Sequence, residues 1–383
     1  LERARRLGIP NATHNNTRGH IVRQLEEELI REANGVPQDA DLTPLLESSA
    51  EDVLNRVLNI ETGSLAVEAA LKMVLARFYR PETGGPDPEH DGRTPVILVV
   101  GDDTGAVGGN YHGTTTLTQI LRGMWPGLKE RFESGRVFVL RAVRPNVIGD
   151  VEKAFKECHK GDYRVAAFFH EIVMMNYGAR LLTSEFLHRA YELCRQHSVP
   201  AVADEIQSCM WYEGTFLFRR YGLKPSIVIV GKGFPGGEFP ASRVISTPRL
   251  DLLPQFGALV TNGQEELASL AYLITMAWTR ANGGAITEMG RCLESSFADL
   301  ASSFPAILAG TEGWGHLLGL RFQDLEKGKR FADLMTKAGF DISVQSYKAS
   351  CPPVALTKLP VIADDALVEY MVCRMRAILE EMD

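Results

Sequence analysis

The sequence has no stretch approaching the ~20 apolar residues that a bilayer-spanning helix needs, and nothing at its start reads as a secretory signal. Lysine and arginine are nowhere massed, and the net charge is −7, so a nucleic-acid surface is not indicated. The six cysteines (158, 194, 209, 292, 351 and 373) include no Cys-x-x-Cys and no repeated spacing. They read as free thiols in a reducing compartment, which sets a cytoplasmic expectation with no metal site. There is no internal repeat and no low-complexity tract. No Walker sequence occurs, which leaves little room for a nucleotide-phosphate enzyme.

What is present is a chain of 383 residues, long enough to bury a large core and to form two domains. Residues 81–95 (PETGGPDPEHDGRTP) read as a loop. From the strand at 95–100 onward, strands and helices alternate, with Leu181 to His197 as an amphipathic crossover helix. That pattern argues for an α/β architecture with a mostly parallel sheet flanked by helices. Around 265–300 it turns to one long helix. The remainder, with 315–322 as a strand and Ala366–Met382 as a last helix, predicts a smaller α+β C-terminal domain. The division expected is 1–265 for the large domain and 266–383 for the interdomain helix and small domain.

Two strand ends carry candidate chemistry. In Ser-Ile-Val-Ile-Val-Gly-Lys-Gly (226–233) a β-branched run ends at Lys232 between two glycines. A lysine there is predicted to project into a cavity, where desolvation would lower its pKa and make it a nucleophile able to form a Schiff base. The plain alternative is an ordinary lysine at a strand end. Upstream, Val-Pro-Ala-Val-Ala-Asp-Glu-Ile-Gln-Ser (199–208) ends a second apolar run at Asp204. The spacing fits neighbouring strands of one sheet. Asp204 and Lys232 could form a plain ion pair there, or grip opposite ends of a flat heteroaromatic cofactor.

A third feature is an anion site. From Ser64 the apolar residues Leu65, Ala69, Met73 and Val74 recur at helical spacing, and Thr62-Gly63-Ser64 sits where the cap belongs. A helix start offers unpaired N–H groups and the positive end of the dipole, and Gly63 allows close approach by a phosphate. The same residues are also compatible with a simple N-cap.

Three further blocks are Gly-Gly-Asn-Tyr-His-Gly-Thr-Thr-Thr (108–116), His-Glu-Ile-Val-Met-Met-Asn-Tyr-Gly (170–178) and Ala-Leu-Val-Thr-Asn-Gly-Gln-Glu-Glu-Leu-Ala-Ser-Leu-Ala (258–271). Together with Asp-Glu-Ile-Gln-Ser and Gly-Lys-Gly, they resemble the class III aminotransferases, pyridoxal-phosphate enzymes of fold type I. The 170–178 block is similar to the glutamate-1-semialdehyde aminomutase-like branch. The resemblance implies that Lys232 carries pyridoxal 5'-phosphate as a Schiff base and that Asp204 bonds the ring nitrogen. A carboxylate there keeps the nitrogen protonated and the ring a strong electron sink. It further implies Gly63 and Ser64 at the phosphate, and Ile206 and Tyr111 on opposite ring faces. His112 follows Tyr111 as a cofactor-site residue. Gln207 lies near the ring hydroxyl, and Thr261 reaches a neighbour's phosphate across a dimer. Glu171 is either the active-site glutamate or a buried acid paired with an arginine.

The implied activity is amino transfer between an amine or amino acid and a keto or aldehyde acceptor, in a homodimer with active sites at the subunit interface. An aminomutase, racemase or lyase of the same fold is the alternative. The resemblance also implies a further N-terminal stretch; the sequence as given opens at Leu1, with Arg3 to Arg6 expected on a solvated helix face. Several familiar features are replaced. The usual Arg after His-Gly is Thr114, the small-domain segment 351–362 offers only Lys358 where an arginine is common, and Met210, Trp211 and Tyr212 follow the Asp-Glu-Ile-Gln motif. These changes predict an uncommon amine or amino acid held partly by apolar and aromatic contacts.

Overall fold

The computed structural model describes residues 19–344 and 351–383, together with Glu2 and Arg6. Arg6 pairs with Glu2 in an exposed position; Arg3 and Arg5 lie outside the described residues.

The centre is a seven-stranded sheet made of β1 (Arg56–Ile60), β2 (Thr94–Val100), β3 (Val139–Val143), β4 (Tyr163–His170), β5 (Ala201–Asp204), β6 (Ile227–Val230) and β7 (Ser242–Ser246). Their order across the sheet is β1-β7-β6-β5-β4-β2-β3, and only β7 runs against its neighbours. Strands such as Ile-Val-Ile-Val (β6) are apolar at every position because both faces are covered, as a parallel sheet with helices on each side demands. One apolar cluster, including Leu98, Phe168, Phe186 and Val228, covers one face. A second, including Ala66, Val67, Ile97, Phe169 and Ile229, covers the other.

The chain moves outward from β2 to β3, then crosses to the other side of β2 to lay down β4, β5 and β6. The strand order therefore reverses between β2 and β4. Open α/β sheets bind ligands outside the carboxyl ends of their strands at such a reversal. The loop after β2 carries residues 108–114, and β4 ends at His170 just before Glu171.

The helix predicted from Ser64 spans Gly63–Leu75, and the crossover helix spans Ser184–Gln196. The single long helix expected over 265–300 is two helices, Glu266–Ala281 and Gly283–Ser303, broken at Asn282. Helical spacing of apolar residues continues through the break. The Asn282-Gly283-Gly284 sequence, poor in helix propensity, marks where the backbone turns. A three-stranded antiparallel sheet (β8 Leu308–Trp314, β9 Leu317–Phe322, β10 Val354–Thr357) follows, with its own core of Leu293, Phe297, Leu320, Phe331 and Leu379. No helix among the described residues is long and apolar enough to cross a membrane.

Candidate active site

β5 and β6 pair in parallel with Asp204 opposite Ile229, and the Glu205 N–H donates to the Ile229 carbonyl at 2.9 Å. Asp204 and Lys232 therefore leave adjoining strands at the same sheet edge. They are not ion-paired. Asp204, 4% exposed, takes a hydrogen bond from His112 Nδ1 to Oδ2 (2.9 Å) and one from the Ile206 N–H to Oδ1 (3.2 Å). An ionised carboxylate only accepts, so this contact places the imidazole proton on Nδ1. Each oxygen keeps a lone pair for a further donor. His112 is fully buried, edge-on to Phe169 at 5.9 Å, and its Nε2 is an unpartnered buried atom. It meets the acid rather than standing alone beside Tyr111.

Lys232 departs from the sequence expectation. In the single chain it is exposed, not enclosed. Its backbone sits at φ +51°, a left-handed conformation that costs an ordinary residue about 1–2 kcal/mol and tends to survive at functional positions. The amine that is desolvated belongs to Lys358 on the segment after β10. Burial pushes it down to about 8. Its Nζ donates to the Gln207 carbonyl (2.9 Å) and to Gln207 Oε1 (3.3 Å), and lies 5.2 Å from the Trp211 ring centroid.

The anion site is assembled from three segments. Thr62 Oγ1 caps the helix by accepting from Leu65 N–H at 3.4 Å. Thr114 N–H donates to Ser64 Oγ at 2.9 Å, and the two hydroxyl oxygens are 3.2 Å apart. A Cβ on Gly63 would stand 2.7 Å from Ile206 Cδ1, and one on Gly113, at φ +122°, would stand 2.7 Å from Ser64 Cα. The two glycines thus leave a concave helix start beside Ile206 that any side chain would fill. Thr114, read from sequence as a missing arginine, lies at the rim of this cup. Replacing Gly113 by Val is expected to weaken cofactor binding at least about tenfold through strain and steric crowding. An absorbance titration of the apoprotein with pyridoxal phosphate, alongside its melting curve, checks this.

The remaining candidates are placed as follows. Tyr111 is half-buried, with the Arg122 guanidinium 4.8 Å from its ring centroid, a cation–π contact the sequence did not signal. Glu171 is 4% exposed and acts through space to support the charge of Lys358. Glu205 is fully buried and holds the Leu217 and Phe218 N–H groups at 2.8 and 2.5 Å; desolvation raises it to about 7. Met210, Trp211 and Tyr212 are buried, and Met210 Sδ would lie 3.7 Å from a Cβ on Gly233. They back the lysine segment rather than forming an open apolar wall. Thr261 is exposed, in a turn where Gly263 lies close against the Asn59 carbonyl. Cavities of about 430 and 900 Å³ lie elsewhere and are lined by neither Lys232 nor Asp204.

The concave helix start at Gly63 thus lies beside Ile206, and the buried Asp204 carboxylate and Lys232 leave adjoining strands at one sheet edge. The chain belongs to the aminotransferase class-III family, whose model matches residues 23–343. It is 27% identical over 289 residues to an acetylornithine aminotransferase of Nostoc sp., covering 74% of this chain and 63% of that enzyme, just under two thirds of its length. In structure it is similar to an N-acetylornithine aminotransferase from Stenotrophomonas maltophilia (TM-score 0.69, 21% identity, 99% of this chain and 84% of that one). It is also similar to a phospholyase from Arthrobacter in complex with phosphoethanolamine (TM-score 0.73, 17% identity, 99% and 85%). These structural likenesses establish the fold type.

Proposed function

We propose that this chain catalyses pyridoxal-phosphate-dependent amino transfer between an amine or amino acid and a keto or aldehyde acceptor. What supports the reading is that Asp204 and Lys232 leave adjoining strands at one sheet edge, with the Gly63 helix start close against Ile206. When bound, pyridoxal phosphate supplies an electrophilic carbonyl and an electron sink for the carbanion at the substrate carbon. Ser64, Thr114 and the helix N-terminus would hold the phosphate. Asp204, oriented by His112, would accept a hydrogen bond from the ring nitrogen and keep its proton in place. Ile206 and Tyr111 would lie against the ring faces. Lys232 Nζ would serve as the covalent anchor. The same amine would take the proton from the substrate carbon as general base and return one as general acid.

The test is product analysis from one pure amino donor with and without a keto acid. Amino transfer requires stoichiometric amination of the keto acid. A product formed equally well without it would move the assignment to an aminomutase, racemase or lyase on the same parts.

We also propose a two-fold homodimer that closes the cleft. Support comes from the exposed Lys232 and from Leu252 (40% exposed) and Phe256 (75%) on the segment leading to Thr261, apolar surface that a partner subunit would cover. Sedimentation should give twice the chain mass, and a fully active monomer would refute the arrangement.

A further inference from the structure

A smaller cavity of about 110 Å³, lined by neither Asp204 nor Lys232, lies where three parts of the chain meet. Trp211 and Tyr212 come from the segment after β5, Glu294 and Arg291 from the helix Gly283–Ser303, and Trp314 from the end of β8. At roughly 30 Å³ per water, this is room for about three or four waters or one small organic ion. Its polar groups are not matched among themselves. Tyr212 is 5% exposed, and its hydroxyl is buried without a hydrogen-bond partner. It stands by the Arg220 N–H, but that group only donates, so the phenolic proton meets no acceptor. Burial holds the phenol well above its ordinary value, so it stays a donor at any working pH. Arg220, also on the cavity wall, has its guanidinium carbon 4.1 Å from the Trp314 ring centroid. Tyr212 stands edge-on to the same ring at 6.0 Å. Among the described residues no carboxylate pairs with Arg220. The other charged groups are engaged: Glu294 accepts from the Gly315 N–H at 2.8 Å, and Arg291 pairs with Glu288 at 3.1 Å. Arg220 and Arg291 against Glu294 leave one positive charge on the wall.

We propose that this cavity binds a short monocarboxylate at a site separate from the amino-transfer cleft, with the Arg220 guanidinium and the Tyr212 hydroxyl donating to the carboxylate. A guanidinium over an aromatic ring keeps its N–H edge free, and that planar fork matches a carboxylate. The acceptor that Tyr212 lacks is then supplied by the ligand, and a buried donor without a partner is otherwise a cost to the fold. The short apolar tail lies against Trp211. One net positive charge suits one negative charge, and the Glu294 carboxylate disfavours a dianion such as inorganic phosphate. The walls come from both sides of the junction between the central sheet and the three-stranded sheet, so a bound carboxylate ties the two together. Trp211 also joins the cavity to the cleft, because its ring lies 5.2 Å from Lys358 Nζ. Binding here does not require pyridoxal phosphate.

The experiment titrates the full chain, loaded with pyridoxal phosphate, with acetate, propanoate and inorganic phosphate at constant ionic strength. Calorimetric heat and tryptophan emission are followed together. Trp211 and Trp314 both line the cavity, so emission should shift on binding. The parent should bind acetate or propanoate saturably, with a Kd on the order of 1 mM. Tyr212→Phe and Arg220→Gln should each weaken that binding about 10- to 100-fold, the loss of one charge-assisted hydrogen bond. Arg220→Lys keeps the charge without the fork and should recover part of the affinity. The melting temperature should rise with carboxylate in the parent and much less in the two weakened variants. No saturable response in the parent, binding that both variants leave unchanged, or tighter binding of phosphate than of acetate overturns the proposal. Acetate held in the amino-transfer cleft instead would show as the second of these results. Tyr212→Phe removes one oxygen and Arg220 is exposed, so both variants should fold; if one does not, the other decides together with Arg220→Lys. A chain that takes up no pyridoxal phosphate would fail the amino-transfer reading, and the same titration would still report on this cavity.

Discussion

Lys232→Ala should be colourless or only weakly and reversibly coloured with pyridoxal phosphate, and turnover should fall by at least about 10⁴-fold. That magnitude is the upper end of what a positioned general acid–base group contributes. In the proposed reaction the same amine is also the covalent anchor, so both functions vanish together. The variant should fold. Lys232 is exposed, so alanine leaves no void in the core, and removing a long side chain from a left-handed backbone position adds no strain. The checks are the visible spectrum, single-turnover rates, and partial rescue by a small exogenous amine such as methylamine. Rescue distinguishes a missing nucleophile from a collapsed site. A yellow, active Lys232→Ala protein would remove the central assignment.

Asp204→Asn is the second large effect. The change is nearly isosteric, so packing under the cleft survives. In the proposed reaction it removes the negative charge that favours a protonated ring nitrogen. It also puts an amide, which donates as well as accepts, against His112 Nδ1 at 2.9 Å. The expected loss in kcat is about 10²-fold or more, the scale of deleting one preorganised electrostatic group. The proposed phosphate anchorage at Gly63 and Ser64 is untouched, so cofactor affinity should fall far less than kcat. His112→Phe acts on the same carboxylate through its orientation. The double variant should therefore lose much less than the product of the two single losses. Full additivity would mean that the His112–Asp204 contact has no part in the reaction. An Asp204→Asn enzyme with parental kcat would mean that the ring nitrogen is not the partner of this acid.

Much of this arrangement was legible in the residues. Short apolar runs ending at Asp204 and Lys232, one connection apart, fitted neighbouring strands of one sheet, and the structure pairs those strands in parallel. Thr62-Gly63-Ser64 before a run of strong helix formers set the helix start, and the structure caps it with Thr62 as that pattern requires. Both are local matters: backbone preference and apolar spacing act over a few residues and leave their mark in the chain.

Contacts between segments distant in sequence were decided only by tertiary packing. That His112 would meet Asp204, that Thr114 would close on Ser64, and that Arg122 would cover Tyr111 depends on how the loop after β2 crosses the strand ends. No periodicity records that path. The exchange of roles between the two lysines has the same origin. Flanking glycines say that Lys232 is special but not that its cleft stands open in the single chain. Lys358 looks ordinary in sequence and becomes desolvated only because the segment after β10 comes to rest on Gln207 and Trp211. Burial belongs to the folded surface as a whole, and a linear string of residues carries it only where both faces of an element are covered.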